Sequence, residues 1–190
     1  MNSNTPGATA TDGDILARLL QGGARGRWVL DTSGCRAEFA VRHFWGAVTV
    51  RGRFERIQGE GTMAEDGSVT GVITIDAASL TTRNSRRDRH LRSADFFDVA
   101  DHPSVFARVT GLARAPGGGL AITATLEAAG RSQPLPLTAR VLEVGRDGIT
   151  LAATTVLDRT AFGMTWSPLG MASSSATLDV VTRFVRGPGE

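Results

Sequence analysis

At 190 residues the chain suits one domain with a single core, and its hydrophobic share of 41% and charged share of 21% are those of an ordinary globular protein. All 21 basic residues are arginine, which excludes Schiff-base lysines, a P-loop lysine and lysine-anchored cofactors. The formal charge of +2 is nearly balanced, so the pI of about 9.8 reflects the high pKa of arginine and gives nucleic-acid binding little support; no apolar run reaches the length of a membrane span, so stable membrane insertion is not expected.

Met1 to Gly13 is small and polar, a composition that cannot offset the entropy of ordering, and reads as a flexible tail. With no basic patch followed by an apolar stretch, it carries no secretory signal, so a cytoplasmic location is expected. Asp14 then precedes Ile15, Leu16, Leu19 and Leu20, spaced for one helical face before Gly22 and Gly23. Residues 1–26 thus form a tail with a short amphipathic helix, which either packs on the domain or meets a second copy in a homodimer. The domain itself spans 27–186, and 187–190 is a short C-terminal tail.

From Trp28 the dominant period is two, the pattern of half-buried strands. Cys35, Ala37, Phe39 and Val41 alternate with Arg36, Glu38 and Arg42. The same pattern returns in Val69, Gly71, Ile73 and Ile75, in Leu120, Ile122, Ala124 and Leu126, and in Leu135, Leu137, Ala139 and Val141. Further strands are predicted at 48–54, 105–111, 149–157 and 176–185, about eight in all. Asp66-Gly67 and Asp147-Gly148 suit tight hairpins, and Pro116 to Gly119 a looser one. Periodicity alone leaves a sandwich and a closed barrel open.

Thr82 to Asp98 breaks this rhythm. Arg83, Arg86, Arg87, Asp88, Arg89, His90 and Arg92 followed by Phe96 and Phe97 read as a helix and a turn, capped by Asn84 or Ser85, with Leu91 turned inward. The arginine run has the guanidinium chemistry for phosphate, but interleaved Asp88 and Asp95 favour a solvated face. Cys35, alone and in an alternating segment, reads as a packed thiol.

Several segments resemble the YceI-like family in order along 28–186. These are Phe39-Ala40-Val41-Arg42-His43 with Gly52-Arg53-Phe54 and Gly59; Ser79-Leu80-Thr81-Thr82; Arg87-Asp88-Arg89-His90-Leu91 with Ser93, Asp95-Phe96-Phe97-Asp98-Val99 and Pro103; and Arg159-Thr160-Ala161-Phe162-Gly163-Met164. The resemblance implies an all-β fold with short helices, an eight-stranded antiparallel lipocalin-like barrel with a helix near one end, and a hydrophobic pore that binds polyisoprenoid chains. The chain departs from the family pattern twice, at Gly34-Cys35 after Asp31, where the family usually has His-Ser, and at the short Gly-containing turn that in the family usually precedes a Thr-Lys pair and here reads Gly130-Arg131-Ser132-Gln133-Pro134.

An eight-stranded barrel either fills with side chains or holds one slender ligand. Small inward residues, Ala37, Ala124, Ala139, Ala153 and Gly71, are expected to leave room along a continuous lumen beside the larger Phe39, Ile73, Leu126, Leu137 and Leu151. The candidate ligand contacts are Phe39, Val41, His43, Phe54, Ile73, Ile75, Leu91, Phe96, Phe97, Leu126, Leu137, Leu151, Met164 and Trp166. Arg87, Asp88, His90 and Arg159 are the candidates for a polar mouth. Asp88 is expected to hold Arg159 or a loop backbone, and His90 to be a hydrogen-bonded packing residue.

His43, His90, His102 and Cys35 show no metal-ligand spacing, and neither a nucleophile elbow nor a dinucleotide loop is present, so no metal, cofactor or catalytic residue is assigned. The expected function is to bind and sequester or carry a polyisoprenoid or isoprenoid quinone without catalysis. The alternative is an enzyme acting on a prenyl or polyketide-like intermediate, with His43, His90 or Asp158 as acid or base.

Overall fold

A computed structural model describes residues 25–144 and 148–188, without the side chain of Trp45. The predicted tail and its Ile15 to Leu20 helix, and Asp147 of one predicted turn, lie outside the described residues. The strands are β1 Gly26–Leu30, β2 Arg36–His43, β3 Val48–Phe54, β4 Ile57–Met63, β5 Val69–Asp76, β6 Leu80–Thr81, β7 Ser104–Arg114, β8 Leu120–Ala128, β9 Arg131–Pro134, β10 Leu137–Val144, β11 Gly148–Asp158 and β12 Ala172–Arg186. The helix α1 is Ser85–Leu91.

All pairings are antiparallel, and the sheet closes on itself because β12 pairs β11 on one side and both β2 and β1 on the other. β1 and β2 form one long strand, as do β3 and β4, so the ring is an eight-stranded barrel. The chain bends at both joints for local reasons. Between β1 and β2, the Asp31 carboxylate accepts from the Ser33 backbone N–H and hydroxyl, making a tight turn, and Arg183 reaches the same carboxylate at 3.3 Å. Cys35 belongs to this joint: its thiol donates to the Asp31 carbonyl and accepts from the Arg183 N–H, while burial pushes its pKa up. Between β3 and β4, the backbone N–H groups of Glu55 and Arg56 both donate to the Ser79 hydroxyl.

The interior has three levels. Trp28 and Met63, packed by Val69, Leu112, Val144, Ile149 and Phe184, fill the end where β12 finishes. Leu120 and Ala139 occupy the next level with Ile122, Val141, Leu151 and Ala153. The third, against α1, surrounds Val105, Ala124, Leu126, Ala128, Phe162 and Met164. At the floor and in the middle level these side chains pack against one another. Ala139 and Ala153 serve close packing rather than space. Gly71 stands against Gly61, where a Cβ would lie 3.2 Å from the Gly61 Cα, so its missing side chain lets two backbones approach.

Candidate ligand-binding site

At the upper level lies an apolar cavity of about 130 Å³. Of the predicted contacts, Phe39, Val41, Phe54, Ile75, Leu91, Phe96, Phe97, Leu126 and Met164 line it. The pleat explains this convergence: Phe39 and Val41 share one face of β2, and Leu126 and Ala128 share one face of β8. The aromatic wall is built by contact, with Phe54 tilted against Phe39 at 5.8 Å between centroids and edge-on to Phe97 at 5.6 Å.

Five predicted contacts lie elsewhere. Leu151 packs in the middle level, and Leu137, paired with Ile122, packs against the upper core cluster without lining the cavity. Ile73 is half-buried on β5, below the cavity residue Ile75. Trp166 is 41% exposed and packs on His90 and Phe96, and His43 sits at the end of β2 opposite Val48 and Ala172. The cavity also takes Ala37, one of the small inward residues expected to leave room, and Val105, Ala128, Leu157, Phe162, Ala176, Leu178 and Val180, which sequence reasoning did not select. Their signal was partly present: Leu178 and Val180 alternate correctly, but Val180-Val181 blurs which face is inward. Phe162 lies inside the late arginine motif, on a tight turn rather than a strand.

The cap over the cavity is α1 with the turns that carry Phe96 and Phe97. Asn84 caps the helix, its side chain accepting from the Arg87 N–H. Asp88 is buried and accepts from the Thr82 backbone N–H at 2.8 Å, the Thr82 hydroxyl, and the Thr81 hydroxyl at 3.2 Å. Burial raises its pKa, but these hydrogen bonds outweigh it and hold the carboxyl below its ordinary value. Asp88 thus fastens the loop leading into α1 through the Thr82 backbone, the second of the two roles expected for it. Arg87 adds hydrogen bonds to the hydroxyl and carbonyl of Thr82.

Arg159 is buried beside the cavity and uses its guanidinium as a clasp, donating to the carbonyls of Met164, Ser173 at 2.8 Å and Ala172. Burial lowers its pKa, partly countered by Asp158. It fixes the 163–173 segment, which returns the chain into β12. The pKa of His43 is lowered, first by burial and then by the charges of Arg159 and Arg87, which favours the neutral ring. His90 is a packing residue with a polar contact: Nε2 is 2.9 Å from Asp95, and the ring is edge-on to Trp166 at 4.4 Å and to Phe96 at 5.2 Å. Among the described residues, no group of three His, Cys, Asp or Glu side chains is placed to hold a metal ion.

The departures from the family pattern have visible roles. Gly34-Cys35 makes the β1–β2 joint, where a Cβ on Gly34 would stand 3.0 Å from Arg183. Arg131–Pro134 forms β9 beside β8, and Gln133 donates to the Ala161 carbonyl, tying this hairpin to the arginine motif.

A closed antiparallel barrel with a packed floor and an apolar chamber beneath a helical cap defines a lipocalin-like barrel. The chain belongs to the YceI-like domain family, whose sequence pattern matches residues 28–184. It is 30% identical over 170 residues to a UPF0312 protein of Shewanella denitrificans, covering 84% of this chain and 87% of that one. Among solved structures it resembles BcnA of Burkholderia cenocepacia, with a TM-score of 0.72, 16% identity and coverage of 81% of this chain and 98% of that one. It also resembles a polyisoprenoid binding domain from Saccharophagus degradans, with a TM-score of 0.69, 16% identity and coverage of 84% and 98%.

Proposed function

We propose that the protein binds and carries or sequesters an isoprenoid-type lipid, a polyisoprenoid or an isoprenoid quinone, in the upper barrel, without catalysing a reaction on it. The observation that carries this reading is the apolar cavity between Phe39, Leu126, Phe162 and the Phe96-Phe97 cap. The kinship with a structure described as a polyisoprenoid binding domain supports the ligand class.

The size of the cavity constrains the mode of binding. An apolar cavity of about 150 Å³ holds one benzene, so 130 Å³ takes one branched five-carbon unit of a prenyl chain. A longer chain extends from this chamber toward the mouth. Each methylene-sized group buried contributes about 0.8 kcal/mol, so affinity grows with the length accommodated and needs no charged anchor.

Native mass spectrometry of protein purified without detergent tests this reading. The expected result is a retained apolar adduct whose mass varies by isoprene units. Protein that carries no adduct and takes up no geranylgeraniol on incubation contradicts it.

A further inference from the structure

Outside the barrel, the faces of β2, β3 and β12 that point away from the lumen form a second concavity, a groove of about 610 Å³ walled by Thr81, Thr82, Arg83 and Arg87. Its charged lining is Arg51, Arg53, Arg83 and Arg87 against Glu38 and Asp179. The two acids already have a partner, because Arg36 lies 3.7 Å from each. Arg53 is likewise turned to Glu55 at 2.9 Å.

That leaves three guanidinium groups facing one groove without a carboxylate. Arg51 and Arg83 are exposed and meet no acid among the described residues, and Arg87 gives only part of its fork to Thr82. Cations gathered in a concavity raise the local potential for an anion above that of a flat, mixed-sign surface. Arg83 is also held in the left-handed region at φ 59°, its N–H donating to the Thr81 hydroxyl. For a non-glycine residue that backbone is strained, and it fixes where the side chain leaves the loop.

Phe39 separates this groove from the lumen. Its ring lies over Gly52, filling the space where a Cβ would stand only 2.3 Å away, and it lines both concavities. The volume falls in the range of small-molecule sites, and guanidinium forks match phosphate oxygens in pairs. We propose that this outer groove binds a soluble phosphate-bearing molecule of diphosphate size or larger, held by Arg51, Arg83 and Arg87.

Titration calorimetry of the full chain with inorganic pyrophosphate at low salt, beside sedimentation with phosphatidylglycerol vesicles, tests the proposal. The expected result is saturable pyrophosphate binding that falls about tenfold or more in Arg51→Gln/Arg83→Gln, since each lost charge-assisted bond carries roughly such a factor. Arg51→Lys/Arg83→Lys is expected to recover part of the loss, and Arg108→Gln, an exposed arginine of β7, to bind like the parent. Unchanged binding by the double glutamine variant, an equal loss in Arg108→Gln, or binding to vesicles with none to pyrophosphate would overturn it.

Discussion

Ala37→Leu distinguishes an unfilled ligand chamber from a tightly packed core by the sign of its effect. Ala37 is buried on β2 and its side chain borders the cavity. If the 130 Å³ is unoccupied in the free protein, it carries a penalty of about 3 kcal/mol, taking roughly 24 cal/mol per Å³ of void. Leucine adds three carbon groups to that space, and burying them contributes about 2 kcal/mol. For a domain of this size the melting temperature then rises by roughly 4 to 8 °C. The same side chain occupies the volume a prenyl unit needs, so uptake of geranylgeraniol falls by at least tenfold. Differential scanning calorimetry and fluorescence competition on the one variant read both effects. Overpacking of a filled core has the opposite sign, costing about 1–3 kcal/mol. A lower melting temperature with undiminished uptake refutes the reasoning.

Asp88→Ala leaves the buried Thr82 N–H without its acceptor and is expected to cost about 2 kcal/mol, read by denaturant titration, with faster hydrogen exchange in residues 82–99. Because the folded pKa of Asp88 is depressed, its contribution is present above the unfolded carboxyl value and is lost as acid titrates it through the lower folded value; the variant is therefore expected to show a shallower acid-unfolding curve below about pH 4. The depressed His43 pKa means the unfolded chain takes up a proton more readily, so stability declines as pH falls below about 6.5 toward the folded value, and His43→Gln flattens that slope in melts between pH 5 and 7. Trp28→Ala opens the floor and is expected to cost about 3–5 kcal/mol in stability while leaving the stoichiometry of geranylgeraniol binding unchanged, because its packing partners do not line the upper cavity.

Much of the barrel was legible because alternation survives wherever the inward residues are large, as in Phe39 and Val41 or Leu120 to Leu126. The β4 strand escaped that reading: its sequence, Ile-Gln-Gly-Glu-Gly-Thr-Met, places glycine at two of the positions that share a face with Ile57 and Met63, so the apolar signal is thin. The β9 strand escaped for another reason, since Arg-Ser-Gln-Pro is mostly exposed and ends in proline. For the site, periodicity identified which face of a strand turns inward but not at which height along the barrel. Leu126 borders the cavity while Leu151, equally inward, packs beneath it, and that difference depends on register across several strands. Arg159 carried a motif but no pattern showing that its partners are three carbonyls rather than Asp88.

The most direct test of the ligand assignment is a crystal structure of the protein incubated with geranylgeraniol. The account predicts a chain end seated between Phe39, Leu126 and Phe162, with Phe96 and Phe97 displaced outward and the Trp28 floor unmoved. A closed cap over an empty chamber at saturating lipid, or a chain lying only on the outer surface, would contradict it.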